Sequence, residues 1–210
     1  MTPLLSRVTD VLARAEARPD CGAIFTRLDG ARILSEARRQ QARADAGEAL
    51  PLFGMLISVK DLFDEAGEVT GAGSRLLATR PPAAADSVAV ARLRAAGAVM
   101  FGRTSMSEFA YSGVGLNPHH GTPSSVLVPG VIPGGSSSGG AVSVALGLVD
   151  AAIGTDTGGS LRIPATANGL WGMKPSQGLV PDAGVHPLAP SYDTPGPMAR
   201  DADTLRRVLS

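Results

Sequence analysis

Residues 134–165 read GGSSSGGAVSVALGLVDAAIGTDTGGSLRIPA. A run of glycines and serines leads into AVSVALGLV (141–149), which is apolar on nearly all sides. Such a segment is either a helix buried on both faces or a buried strand. The serines before it favour a helix with its N-terminus capped at about 136–138. AAIGT (151–155) reads as a short strand and TDTGGSLRIP (155–164) as a sharp turn.

Working outward, GMLISVKDLF (54–63) begins as a short β-branched strand with Lys60 at its end, and a Gly/Thr-rich loop follows at 67–74. Asp86 or Ser87 is placed to cap the helix SVAVARLRAAG, which stops at Gly97, and AVMFG (98–102) is the next buried strand. Strand, helix and strand with short connections predict an α/β fold, a central mixed sheet flanked by helices. Residues 4–17 and 31–46 read as two surface helices joined through Pro19, Asp20 and Gly22. Residues 112–135 carry the turn signals of a long loop, and a last helix is expected near 201–209. Residues 1–50 thus form a helical prelude to a core at 51–210, within one domain.

Composition narrows the function. The 210 residues carry 19 Lys+Arg against 19 Asp+Glu, and 44% of them are apolar. A neutral chain of this kind can bury a sizeable core and lacks the basic surface that nucleic acids and acidic lipids reward. Cys21 is the single cysteine, which excludes an intramolecular disulfide and fits a reducing, cytoplasmic setting. Arg7, Asp10, Arg14, Glu16 and Arg18 interrupt any signal-peptide apolar run. From Phe109 to Val149 there is no Asp, Glu, Lys or Arg. Asn117-Pro118, Pro123, Pro129-Gly130 and Pro133-Gly134-Gly135 break that stretch too often for a membrane span. It is expected to be irregular chain taken out of water inside the fold.

Three segments could carry chemistry: Lys60, the 134–140 Gly/Ser run, and Thr157-Gly158-Gly159-Ser160. Taken singly, each has an ordinary reading as a solvated charge, a flexible loop and a tight turn. A phosphate-binding loop is excluded because no Lys precedes a Ser or Thr at the end of the glycines. Gly135-Ser136-Ser137-Ser138-Gly139 matches G-x-S-x-G, but Val-Pro-Gly-Val-Ile-Pro-Gly precedes it where a strand is needed, and His186 is the only later histidine. His119 and His120 are adjacent without a third ligand in view, so no metal is expected.

Together, these segments resemble the amidase signature family. The block 134–165 is similar to its defining region, GMLISVKDLFDEAGEVTGAGS (54–74) to its lysine-bearing segment, and AAGAVMFGRTSMSEFA (95–110) to the connecting strand and loop. GLWGMKPSQGLVPDAGVHPLAPSYDTPGPMARDADTL (169–205) resembles its continuation. The resemblance implies Lys60, Ser136 and Ser160 as catalytic residues, with Ser136 lying 24 residues before Ser160. It also implies a cis bond at Gly135-Ser136, and an oxyanion hole built from the backbone of Thr157, Gly158, Gly159 and Ser160. Asp156 and Arg162 are read as a buried pair holding that turn. Chemically, a buried lysine that loses its charge can act as the base that a serine nucleophile requires.

The expected reaction is hydrolysis of a small carboxylic amide through an acyl-serine, with no cofactor. Family members have a catalytic domain about twice as long, so the C-terminal half is expected to be missing. SSVLVPGV (124–131) also stands where members usually carry a polar segment. Two alternatives remain: the A-type subunit of a tRNA-dependent amidotransferase, with partner subunits, and a non-catalytic remnant that folds with a complementary half or as a homo-oligomer.

Overall fold

A computed structural model describes residues 2–210. The elements run α1 (Pro3–Glu16), α2 (Cys21–Ile24), β1 (Phe25–Arg27), α3 (Gly30–Asp45), β2 (Leu56–Lys60), α4 (Val88–Ala95) and β3 (Val99–Thr104). After a short 3-10 turn at Glu108–Ala110 come α5 (Ser138–Ala145), β4 (Ala151–Asp156), α6 (Arg162–Ala167), β5 (Trp171–Gly172), β6 (Thr194–Ala199) and α7 (Ala202–Leu209). The six strands form one mixed sheet in the order β1-β3-β2-β4-β6-β5. β2 lies between β3 and β4 and is parallel to both, while β1, β6 and β5 pair antiparallel with their neighbours.

Every residue of β2 and β4 is buried, as expected of parallel strands covered on both faces. The period-2 alternation of strands sorts their side chains. Leu56, Val99, Phe101, Ala152 and Met198 join α1, α3 and α5 in one apolar cluster. Ile57, Val59, Met100, Ile153 and Ala199 join α4 and α7 in the other. The carboxyl ends of β2, β3 and β4 therefore meet along one rim of the sheet, where open α/β folds place their ligands.

Several expectations need correction. Ser87 is the N-cap of α4 but makes no capping side-chain bond. Asp86 instead accepts the Ala66 amide and pairs with Arg94. Ser137 caps α5 by position only, again without a side-chain bond. The charge-free stretch is buried from Pro133 to Val144, but its earlier part is not: Leu127, Val128, Val131 and Ile132 are all at the surface.

Strand β6 went unread because Pro195 and Pro197 break the ladder pattern. The Pro197 carbonyl accepts the Met173 amide on the β5 side. The nitrogen and carbonyl of one strand residue point the same way, so both prolines turn their missing donors toward the short β5 and leave the β4 ladder intact. β1 and β5, of three and two residues, are too short to show a period.

The loop after β2 is tied to β3 by Arg103, which is buried. Its guanidinium donates to Asp61 (2.9 Å), to Glu65 (3.1 Å) and to the Phe63 carbonyl (2.9 Å). Burial pushes the Glu65 carboxyl up, against the pull of Arg103 and Arg94. Arg103→Met should leave buried Asp61 without a cation and Glu65 with Arg94 alone, and cost about 3–5 kcal/mol in chemical denaturation. A loss under about 1 kcal/mol would show that the cluster is not structural. The exposed apolar loop and the two-residue edge strand also predict self-association of the 210-residue chain. Light scattering after size exclusion should show a mass rising with concentration; a constant monomer mass contradicts this.

Candidate active site

Lys60 ends β2 with its side chain wholly buried. Its Nζ donates to Ser136 Oγ at 2.7 Å and to Thr155 Oγ1 at 2.9 Å. Burial pushes the amine down to about 7, while the nearby charges of Asp156 and Asp193 pull the other way. Near neutral pH, a large share of this amine is thus uncharged and able to accept a proton. Ser136 comes from the charge-free stretch, as expected, but the rest of the setting is supplied by β4 and two carboxylates.

Ser136 is fully buried and follows a cis peptide bond from Gly135. Its carbonyl accepts the Ser107 amide (3.1 Å), and the Gly135 amide donates to Gly113 O (2.8 Å). A Cβ on Gly135 would come within 2.5 Å of the Gly115 nitrogen, so no other residue fits there without moving backbone.

Ser160 sits in the turn that follows β4, and its carbonyl accepts the Ser137 amide (3.3 Å). The turn is organised by Asp156. Its carboxylate accepts from the amides of Gly159 (2.8 Å), Leu161 (3.3 Å) and Arg162 (3.4 Å), and from the Arg162 guanidinium twice at 2.9 Å. Burial alone would raise the Asp156 carboxyl, but Arg162 and these amides outweigh it and hold it below the ordinary value. The pair is buried on one side only, since the Arg162 side chain is 55% exposed. Gly159, at φ +128°, adopts backbone that L side chains rarely reach. Its amide faces Asp156, whereas those of Thr157, Gly158 and Ser160 make no hydrogen bond to the described residues. Thr157 is held through its hydroxyl, which donates to Asp193 Oδ1.

The structure thus brings Lys60 and Ser136 into contact and places the 157–160 turn beside the start of α5. Ser137 points elsewhere. It is buried, packs on Gly154 and donates weakly to Thr155 O (3.5 Å). The segment before it is irregular. His186 packs tilted against Phe109, ring centroids 5.8 Å apart, and lies against Pro187 O, while His119 meets Glu108. Among the described residues no three His, Cys, Asp or Glu side chains are grouped to hold a metal ion.

Sequence reasoning missed Thr155 and Asp193. Thr155 is signalled only by its place before Asp156 in the T-D-T-G-G-S run. Asp193 lies 36 residues beyond Thr157, and only the β4–β6 register, which pairs Asp156 with Thr194, brings the two together.

The sequence model of the family described as Amidase matches residues 7–210. Amidase 1 of Oryza sativa subsp. japonica is 52% identical over 77% of this chain and 37% of its own length. The A-type subunit of the glutamyl-tRNA(Gln) amidotransferase from Ralstonia nicotianae is 43% identical over 95% of this chain and 40% of its own. A solved chain from a vestigial protein complex, described in connection with the origins of an s-triazine catabolic enzyme, superposes with a TM-score of 0.93 at 40% identity. That match covers 99% of this chain and 46% of the other. The chain spans less than half the length of each of these relatives. With its fold, its buried lysine and its two serine-bearing segments in this arrangement, the chain belongs to the amidase signature family.

Proposed function

We propose that this chain carries the nucleophile and base of an amidase that hydrolyses a small carboxylic amide to an acid and ammonia or an amine. The observation that carries the reading is the buried Lys60 amine, hydrogen-bonded to Ser136 and lowered to about 7. In this mechanism neutral Lys60 takes the Ser136 proton as Ser136 takes that of Ser160. The Ser160 oxygen attacks the amide carbon, and the resulting oxyanion is met by the free amides of Gly158 and Ser160. Thr157 and Gly159 shape the turn that presents them. The proton returns through Ser136 to the departing nitrogen, the C–N bond breaks, and acyl-Ser160 remains. Water, activated by the same relay, then releases the acid and restores Ser160. No cofactor enters these steps.

The 43% identity to the A-type subunit of an amidotransferase supports a second reading, in which partner subunits deliver the ammonia acceptor. Co-purification with further subunits separates the two. We read residues 1–50 as an N-terminal segment of helices that also lends the edge strand β1 to the sheet, and 51–210 as catalytic core. The lone Cys21 thiol accords with a cytoplasmic setting. Among the described residues no helix is long and apolar enough to cross a membrane.

Ser160→Ala should abolish covalent labelling by a fluorophosphonate, and Ser137→Ala should leave it largely intact. Labelled Ser160→Ala together with inert Ser137→Ala would transfer the nucleophile to Ser137. The pH profile tests the base. An ammonium accepts no proton, so the rate should rise with pH through about 7 as Lys60 becomes neutral. Lys60→Ala should remove that limb and lower the rate roughly 10²–10⁴-fold. His119→Ala, His120→Ala and His186→Ala should leave its shape unchanged. A histidine variant that erases the limb while Lys60→Ala keeps it overturns the assignment.

A further inference from the structure

Asp193 precedes β6, and the β4–β6 ladder ends at the pair Asp156–Thr194. One step past that pair, Asp193 lies opposite Thr157, the first residue of the serine turn. Its Oδ1 accepts the Thr157 hydroxyl, and its Oδ2 accepts the amides of Leu188 (2.9 Å) and Ala189 (3.0 Å). These partners are neutral, and the residue is only 9% exposed. An asparagine could accept the two amides with its oxygen and donate its NH2 to the Thr157 hydroxyl, so hydrogen bonding alone does not call for the charge. We propose that Asp193 is a positioning residue of this site, clamping the Thr157 end of the serine turn to the 188–193 strap and supplying an uncompensated negative charge that acts on the Lys60 amine.

The charges around Lys60 support that assignment. From β4 comes Asp156, already matched by the Arg162 guanidinium. β3 sets uncharged Thr104 beside Lys60, while Arg103 pairs with Val59 and so turns to the other face, where Asp61 and Glu65 engage it. The start of α5 contributes only serines and glycines. Asp193 acts on Lys60 without a cation of its own. It therefore opposes the loss of the lysine proton, and keeps the amine basic enough to draw one from Ser136. The same carboxylate holds the turn whose amides face the reacting group, so one side chain bears on both the base and the oxyanion donors.

This inference rests on the Lys60–Ser136–Ser160 reading, and the test separates the two. The chain has two lysines, Lys60 and Lys174, so a sample labelled with ¹³C at lysine Cε gives two titrating signals, assigned with Lys174→Arg. In Asp193→Asn the Lys60 midpoint should fall below that of the unsubstituted chain while the Lys174 midpoint stays. Fluorophosphonate labelling, measured above both Lys60 midpoints, should slow roughly tenfold to a hundredfold. Thr157→Val should slow labelling similarly without moving the Lys60 midpoint, and Thr157→Ser should restore the rate. An unchanged Lys60 midpoint in Asp193→Asn overturns the inference, whether or not labelling slows. So does a Thr157→Val variant that labels at the normal rate. If Ser160→Ala still labels, the underlying reading falls and the inference falls with it.

Discussion

A lysine amine held out of water at the end of a central strand is the constraint on which this structure turns. An isolated buried ammonium is costly, and the usual resolution is loss of the proton. Lys60 follows that course: burial lowers it from 10.5 to about 7, and two hydroxyls take its hydrogen bonds. The sign of the linkage is fixed by this direction. Between about 7 and 10.5 the unfolded chain binds a proton that the folded chain has released, so Lys60 opposes folding most below 7 and ceases to do so above 10.5. The fold carries that cost because parallel β3 and β4 and the α5 start enclose the strand end on every side. The enclosing backbone is constrained in turn. Gly135 must be a glycine for the 113–115 segment to pass, and that approach is what leaves Ser136 Oγ within 2.7 Å of the amine.

The serine turn shows a division of labour among its amides. Asp156 gathers those of Gly159, Leu161 and Arg162 and adds the Arg162 guanidinium, which fixes the entry into α6. What remains unclaimed are the amides of Thr157, Gly158 and Ser160. A carboxylate bound this heavily stays ionised and leaves no donor toward itself unsatisfied. Its role is to use up the wrong donors as much as to hold the right ones, since a turn with every amide free would be loose and wet.

The parts legible in the sequence are those whose physics is local. β2, β3 and β4 announce themselves as short apolar runs, and α1 and α3 through periodic apolar positions, whereas the caps Asp29 and Asp201 emerge only in the structure. Lys60, Ser136 and Ser160 are singled out by resemblance to a family, since singly each is an ordinary strand-end charge or loop serine. What stayed hidden depends on partners distant in sequence. β6 carries two prolines that only its one-sided pairing excuses. Asp193 is an ordinary loop carboxylate until the ladder sets it against Thr157. The charge-free stretch misled because absence of charge does not by itself report burial. Pro133 to Val144 are inside, whereas Leu127 and Val128 face outward.

Two cations, Lys60 and Arg103, are both buried, and the fold treats them in opposite ways. Arg103 meets two carboxylates and a carbonyl within 3.1 Å. That is the arrangement a permanently charged guanidinium demands, because it has no neutral form to retreat to. Lys60 meets no carboxylate at that range, only Ser136 and Thr155. Had its role been to pin β2 in place, a direct partner such as the one Asp61 gives Arg103 would have stabilised it. The nearest negative charges act on it from a distance instead, enough to keep the amine basic and too little to lock the proton on. A lysine left able to hold or release its proton near neutral pH, and in contact with a serine hydroxyl, is a poor structural anchor and a serviceable base.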